Sequence, residues 1–229
     1  MKKVILLTSG LLLCVSVHAE IVLDTEEKRV SYTVGQQIGQ QLQMEKIPVD
    51  QAALFKGISD FIDANQPLLD HSAQRQAVNE FQKNKQHALT EERRKNLLQG
   101  QAYLKANATK RGVKATKSGL QYRIIEAGTG PKPSANDRVK LHYEGRLIDG
   151  TVFDSSYERG NPVELLVSQN MPGWQEALPM MPMGSKWQIT IPSELAYGEE
   201  GFGEQIPANA VLVFDIETFE IMPSTAAGH

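Results

Sequence analysis

The stretch that decides the fold is Val139-Lys-Leu-His-Tyr143-Glu-Gly-Arg-Leu147-Ile-Asp149-Gly150-Thr-Val-Phe153-Asp154-Ser-Ser156. Apolar and polar residues alternate from Val139 to Tyr143, the period of a strand with one face buried. Asp149-Gly150 is a strong hairpin signal, because the left-handed backbone of a tight turn suits glycine. The same alternation recurs at Leu120–Ile124, Trp187–Ile191 and Leu212–Ile221, with a turn cluster at Gly128-Thr-Gly130-Pro131. Residues 113–223 therefore read as a compact antiparallel β domain with room for little more than one short helix.

Upstream the period changes. Asp24 followed by Glu27 has helix-capping spacing, and Val30, Val34, Ile38 and Leu42 recur every four residues, so a first amphipathic helix is expected. Gly35-Gln-Gln-Ile38 and Gly39-Gln-Gln-Leu42 repeat one four-residue unit. Two glycines thus stack beside the apolar stripe, although each costs about 1 kcal/mol of helix propensity. Something must approach that backbone closely: a second chain or another helix of the same one. A second helix is expected from Asp50 to Asp63, with Leu54, Phe55, Ile58, Phe61 and Ile62 on one face, bracketed by Pro48 and Pro67. From Ser72 to about Lys110 there is no proline, and Gly100 is the only glycine, which predicts one helix roughly 55 Å long. Its middle, residues 82–96, carries only Ala88 and Leu89 as apolar residues, whereas Leu97, Leu98, Tyr103 and Leu104 regain an apolar face. The helix reads as a solvated stalk that packs near its end, with Gly112 as its stop.

The chain has 229 residues, 24 Lys+Arg against 27 Asp+Glu, and a single cysteine. Lys2 and Lys3 precede an uncharged apolar run from Val4 to Val17, with Val17-His18-Ala19 supplying a small-residue cleavage site. This reads as a secretory leader over 1–19, too short to span a bilayer. Cleavage after Ala19 removes two lysines and no acid from a net charge of −3, leaving −5, and takes Cys14 with it. The competing reading makes Cys14 a lipid acceptor, but Leu13 stands where such signals place Gly, Ala or Ser. A mature chain without thiols suits an oxidising compartment. The negative balance and the lack of like-charge runs argue against a nucleic-acid partner.

Several chemistries lack their residues. No G-x-S-x-G elbow is present, and His142 is the one histidine inside the β domain, flanked by Leu141 and Tyr143 and expected to face away from their side of the strand. No H-E-x-x-H, C-x-x-C, metal-loop carboxylates or G-x-G-x-x-G appear, so neither a metal nor a cofactor is expected. What the β domain concentrates is rings: Tyr143, Phe153, Trp174, Tyr197, Phe202 and Phe214 lie within 72 residues. Periodicity leaves open whether they form a core or line a pocket.

Leu147 to Ser156, then Pro172-Gly-Trp174, Leu195-Ala-Tyr197-Gly198, and Ile206-Pro207 through Leu212-Val-Phe214-Asp215, in this order and spacing, resemble FKBP-type peptidyl-prolyl isomerases over residues 119–222. Ser31-Tyr32-x-x-Gly35-x-x-x-Gly39, the long helix and the leader resemble, more loosely and over about 24–112, the macrophage infectivity potentiator branch of that family. The resemblance implies an α+β protein: a helical dimerisation domain over 20–70, a linker helix over 71–112, an antiparallel half-barrel wrapped round a short helix over 113–223, and a flexible tail over 224–229. It implies a homodimer through Val34, Gly35, Ile38, Gly39 and Leu42. It also implies unfolded or proline-containing protein substrates, inhibition by macrolides such as rapamycin, and work in the periplasm, with outer-membrane association or surface exposure as the other locations; the alternative role is that of a dimeric chaperone with incidental isomerase activity.

By the same resemblance Trp174 forms a pocket floor, with Tyr143, Phe153, Met171, Ile206 and Phe214 as walls and Val163 and Phe202 as further substrate contacts. The Met171 N–H and the Tyr197 hydroxyl hold substrate carbonyls, and Asp154 sits beside the twisting amide. The chain departs from the family pattern at Asn170-Met171, where many relatives carry two β-branched aliphatics, at Val163, where some carry Phe, and at Phe202, where some carry His. These departures bear on substrate preference and macrolide affinity more than on the floor or the Phe153-Asp154 pair.

Overall fold

The computed structural model describes residues 21–222, so the expected leader and tail lie outside the described residues. The chain divides into two compact units, one running up to Ser72 and one beginning at Ala73, each described by itself.

The first unit holds α1 (Glu26–Met44) and α2 (Gln51–Ile62). Thr25, not Asp24, caps α1: its side chain accepts from the Lys28 N–H at 3.2 Å, while the Asp24 carboxylate takes the Lys28 ammonium at 2.7 Å. Asp50 caps α2 by accepting from the Ala53 N–H at 2.8 Å. The apolar stripe of α1 meets α2 only in part. Ile38, Leu42, Ile47 and Leu54 are half-buried, but Val34 is 48% exposed, Phe55 65% and Phe61 90%. The one fully buried side chain of the two helices is polar: Asp60 accepts from Lys56 and from Asn65.

The second unit starts within α3 (His71–Ala108), whose 38 residues are polar around most of the circumference. Buried and half-buried positions then recur at 93, 96, 97, 100, 103, 104 and 107, a stripe of threes and fours that lays the last third of the helix against the sheet. Leu98 is not part of it. Expected on the apolar face, it is 52% exposed, because it lies one residue beyond the stripe that Leu97 and Gly100 occupy.

Seven antiparallel strands follow: β1 (Val113–Ala115), β2 (Gln121–Glu126), β3 (Arg138–Leu147), β4 (Val152–Ser155), β5 (Val163–Leu166), β6 (Lys186–Ile191) and β7 (Leu212–Met222). Their order is β1-β2-β6-β7-β3-β4, and β5 shares the free edge of β3 with β4. The Asp149-Gly150 turn joins β3 to β4 as read from the sequence, with Gly150 at φ +93° and the Asp149 carboxylate accepting from the Thr151 N–H at 2.9 Å. One short helix, α4 (Pro172–Ala177), opens on Pro172 and buries Gly173, Trp174 and Ala177 against the sheet.

Alternation places Leu141, Ile189, Ile191, Leu212, Phe214 and Ile216 in the core. It also misleads at two positions. Gln121 and Thr190 fall on the face that alternation assigns to solvent, yet α3 covers them, leaving 6% and 2% exposed. Asn107 resolves the conflict by donating to the Gln121 carboxamide oxygen at 2.9 Å and the Thr190 hydroxyl at 3.3 Å, while Gln121 donates to the Leu104 carbonyl at 2.9 Å. Such a network stabilises only while every member is satisfied. Asn107→Ala strands the Gln121 oxygen and is expected to cost about 2 kcal/mol. For a unit of this size that lowers the melting midpoint by roughly 4–8 °C in a thermal scan, and an unchanged midpoint would contradict the role given to Asn107.

Candidate active site

The inner face of the sheet brings the aromatic residues together. Tyr143 follows Leu141 at strand period on β3, and Phe214 pairs with Gly145 across β7. Gly145 is required there: a Cβ on it would lie 2.6 Å from the Phe214 ring and 2.7 Å from that of Phe153. The β3–β4 register shifts between Gly145 and Arg146, so Asp154 opposes Gly145 while Phe153 is the extra residue. That bulge is the local reason two consecutive residues, Phe153 and Asp154, serve one face.

Trp174 stands beneath them, 3% exposed. Its ring meets Tyr143 edge-on (5.2 Å between centroids, 86°) and Phe214 edge-on (5.2 Å, 85°), and Phe153 meets Phe214 at 5.6 Å and 88°. Each such contact contributes about 0.5–1.5 kcal/mol beyond burial. The buried Trp174 indole N–H finds no acceptor among the described residues. Ile206 is buried in the same cluster, and Val163, Met171 and Tyr197 pack against it. Phe202 does not join: 60% exposed, it stacks on the outer side of Tyr197 at 5.0 Å, held by a two-residue bridge in which the Phe202 and Ile206 backbones exchange hydrogen bonds.

The polar part of the site has three members, one of which sequence reasoning missed. The Tyr143 hydroxyl donates to Asp154, Arg159 donates to the same carboxylate, and Arg159 also donates to the Tyr143 oxygen at 2.9 Å with its guanidinium 5.5 Å from the centre of that ring. Nothing in the sequence singled out Arg159, which lies five residues after Asp154 in the turn that follows β4. Burial works against the Asp154 carboxylate, but hydrogen bonds from Tyr143 and Arg159 and the charge of Arg159 outweigh it, so its pKa lies below the ordinary 3.8. Burial, with the hydrogen bond to Asp154, pushes the Tyr143 phenol up. Burial and then the charge of Asp154 push Tyr197 up as well, so Tyr197 remains a donor at neutral pH within reach of that charge. Neither the Tyr197 hydroxyl nor the Met171 N–H donates to another protein group among the described residues. His142 faces away, as expected, stacked on Tyr157 at 4.4 Å with Nδ1 2.8 Å from the Ser156 hydroxyl.

The fold is an antiparallel sheet closed over one short helix, with Trp174 and its ring neighbours on the inner face and the Arg159–Asp154 ion pair beside them. The model for the FKBP-type peptidyl-prolyl cis-trans isomerase matches residues 130–219, and the domain amino-terminal to it matches residues 27–124. The FKBP-type 22 kDa peptidyl-prolyl cis-trans isomerase of Escherichia coli is 44% identical over 87% of this chain and 97% of its own. The peptidyl-prolyl cis-trans isomerase Mip of Coxiella burnetii is 38% identical over 96% and 99%. The crystal structure of FkpA from Escherichia coli superposes with a TM-score of 0.66 at 31% identity, covering 88% of this chain and 99% of that one. The chain belongs to the FKBP-type peptidyl-prolyl cis-trans isomerases.

Removing Arg159 tests the polar cluster. Because the Asp154 pKa is depressed, the carboxylate stays ionised through neutrality, and its stabilising pairing is lost only as pH falls through that lowered value. Turnover is therefore expected to hold level from about pH 8 down to about pH 5. Arg159→Ala should lower kcat/KM roughly threefold to tenfold and move the acid limb upward. A profile that is identical in the two proteins would rule out the pairing as a part of catalysis.

Proposed function

We propose that the Trp174 hollow is where X-Pro bonds turn over, without covalent chemistry. The barrier of about 18–20 kcal/mol arises from the partial double-bond character of the peptide C–N bond. The planar amide is the more charge-separated form and is favoured by water, so apolar walls that shed water bind the twisted amide better than the flat one. Trp174 receives the proline ring. Tyr143, Phe153, Met171, Ile206 and Phe214 enclose it, with Val163 and Phe202 touching the flanking residues. The Met171 N–H and the Tyr197 hydroxyl, both without an acceptor among the described residues, take substrate carbonyls, and Asp154 lies beside the rotating bond. Each tenfold in rate needs only about 1.4 kcal/mol of such preference. The observation that carries this reading is the edge-on enclosure of Trp174 by Tyr143 and Phe214 beside the Asp154 cluster.

The enzyme works on folding proteins of the cell envelope, in the periplasm. The leader read from the sequence supports this location, as does the name of a relative from Legionella longbeachae, outer membrane protein MIP, 38% identical over 87% of this chain. The mature protein is a homodimer through α1, with Val34, Gly35, Ile38, Gly39 and Leu42 at the contact. Nothing lies within 4 Å of a Cβ placed on Gly35 or Gly39, and a cavity of about 420 Å³ opens beside them between α1 and α2. Two helices whose one fully buried side chain is Asp60 do not hold together by burial alone. The alternative is a dimeric chaperone whose two β domains and helical cleft hold clients, with isomerisation incidental; Phe55 and Phe61, exposed outside the proposed contact, favour it.

The mature chain is expected to accelerate a proline-limited refolding reaction and to lose this in rapamycin. Asp154→Asn should remove most of the acceleration while leaving suppression of client aggregation in place. No acceleration at micromolar enzyme overturns the reading.

For the helices, light scattering should give a dimer at micromolar concentration. Val34→Glu should shift it to monomer with isomerisation of a short peptide unchanged, whereas a monomeric parent protein would exclude the interface.

A further inference from the structure

Two asparagines join α3 to the loop that carries the outer wall of the site. The Asn96 side chain, on α3, donates to the Ala208 carbonyl at 3.0 Å, and the Asn209 side chain, on the loop, donates back to the Arg93 carbonyl at 3.2 Å. Asn209 adopts the left-handed backbone at φ +59°, which asparagine tolerates better than most residues. From that position its N–H reaches the Gly198 carbonyl at 2.8 Å. The loop between Tyr197 and Asn209 is thus closed at its base, and it carries Tyr197, Phe202 and Ile206. One turn further along α3, Gly100 lets the loop seat: a Cβ there would come 2.8 Å from the Val211 side chain, which is 4% exposed.

We infer that Asn96 and Asn209 form a reciprocal clasp through which the last third of α3 positions the Tyr197–Ile206 loop and sets how tightly the isomerase site holds its peptide. The inference rests on the reading of the Trp174 hollow as the site of turnover. Neither asparagine touches the hollow, so both act as positioning residues. Both clasp bonds run from a side chain on one element to a backbone carbonyl on the other, so each can be cut without removing a contact of the substrate. A loop that is ordered only on binding charges that ordering against affinity, whereas one already held does not. Loosening the clasp therefore weakens peptide binding more than it slows the bound complex. It also makes the end of α3 part of the enzyme rather than a tether to it.

The test uses the mature chain and a proline-containing peptide, with Asn96→Ala and Asn209→Gly. Glycine accepts φ +59° without strain, so the second variant removes the bond and keeps the backbone. Each variant is expected to raise KM about threefold to tenfold with kcat within twofold. Amide exchange should quicken at Phe202 and Ile206 but not at strand amides such as that of Gln121. Unchanged KM and exchange in both variants overturn the clasp, and so does uniform loosening of the whole unit, which would mark a merely structural role. Asp154→Asn, run alongside, separates the two readings. If it abolishes turnover while the clasp variants keep their KM, the clasp alone fails. If it leaves turnover intact, the site itself is wrong.

Discussion

The indole of Trp174 is a packed member of the core, and the proposed function asks it to be a binding floor as well. It meets the first condition through edge-on contacts to Tyr143 and Phe214, which fix its plane from two strands that are neighbours in the sheet. The second is asked of it where α4 is short and starts at a proline, so the ring projects from the first turn of a helix that ends soon after. A dense interior moves little when something binds to it. Trp174 is therefore held rigidly because it is core, and under the proposed function the preference for a rotated amide needs no induced rearrangement of the ring.

Around that floor the polar groups sort by what they have to do. Tyr143 spends its hydroxyl hydrogen on Asp154, and Arg159 spans both, so these three fix one another and place a charge at the rim. Tyr197 differs: its hydroxyl donates to no group among the described residues, and burial together with the charge of Asp154 keeps it protonated. One phenol is structural and the other is available, although both lie in the same ring cluster. The Met171 N–H is available for a backbone reason, since it stands at the start of α4 where the first N–H groups have no intrahelical partner.

Much of this was legible in the chain because the β domain obeys simple periods. The β3–β4 hairpin, the strands at 120, 187 and 212, and the direction of His142 follow from alternation and from Asp149-Gly150. Tertiary covering was not legible. Gln121 and Thr190 carry the signature of an exposed face, and only the arrival of α3 with Asn107 turns it into a buried one. Leu98 failed for the complementary reason: four apolar residues near the end of α3 do not say which of them the stripe selects. Arg159 was invisible because a cation in a turn is ordinarily solvated, and what gives this one a task is a strand bulge that aligns Asp154 with it. At Phe202 the departure from the family pattern marks a residue that the structure leaves half outside, on the far side of Tyr197.

The helix α3 poses the last question of organisation. The family domain amino-terminal to the isomerase runs through residue 124 and so assigns α3, β1 and part of β2 to the amino-terminal part. Compactness draws the line at Ser72, near the start of α3. The physical evidence favours the second line. After Gln82 the helix has no apolar face until Leu97, and its stripe there is satisfied by groups of the isomerase unit: Gln121 and Thr190 of the sheet at Asn107, and Val211 and Ala208 of the loop before β7 at Gly100 and Asn96. A helix that completes the hydrogen bonds of buried sheet side chains belongs to that sheet's cooperative unit, because removing it would strand those groups. The last third of α3 therefore belongs with the sheet, and a fragment cut at residue 113 would lose a wall of its own unit.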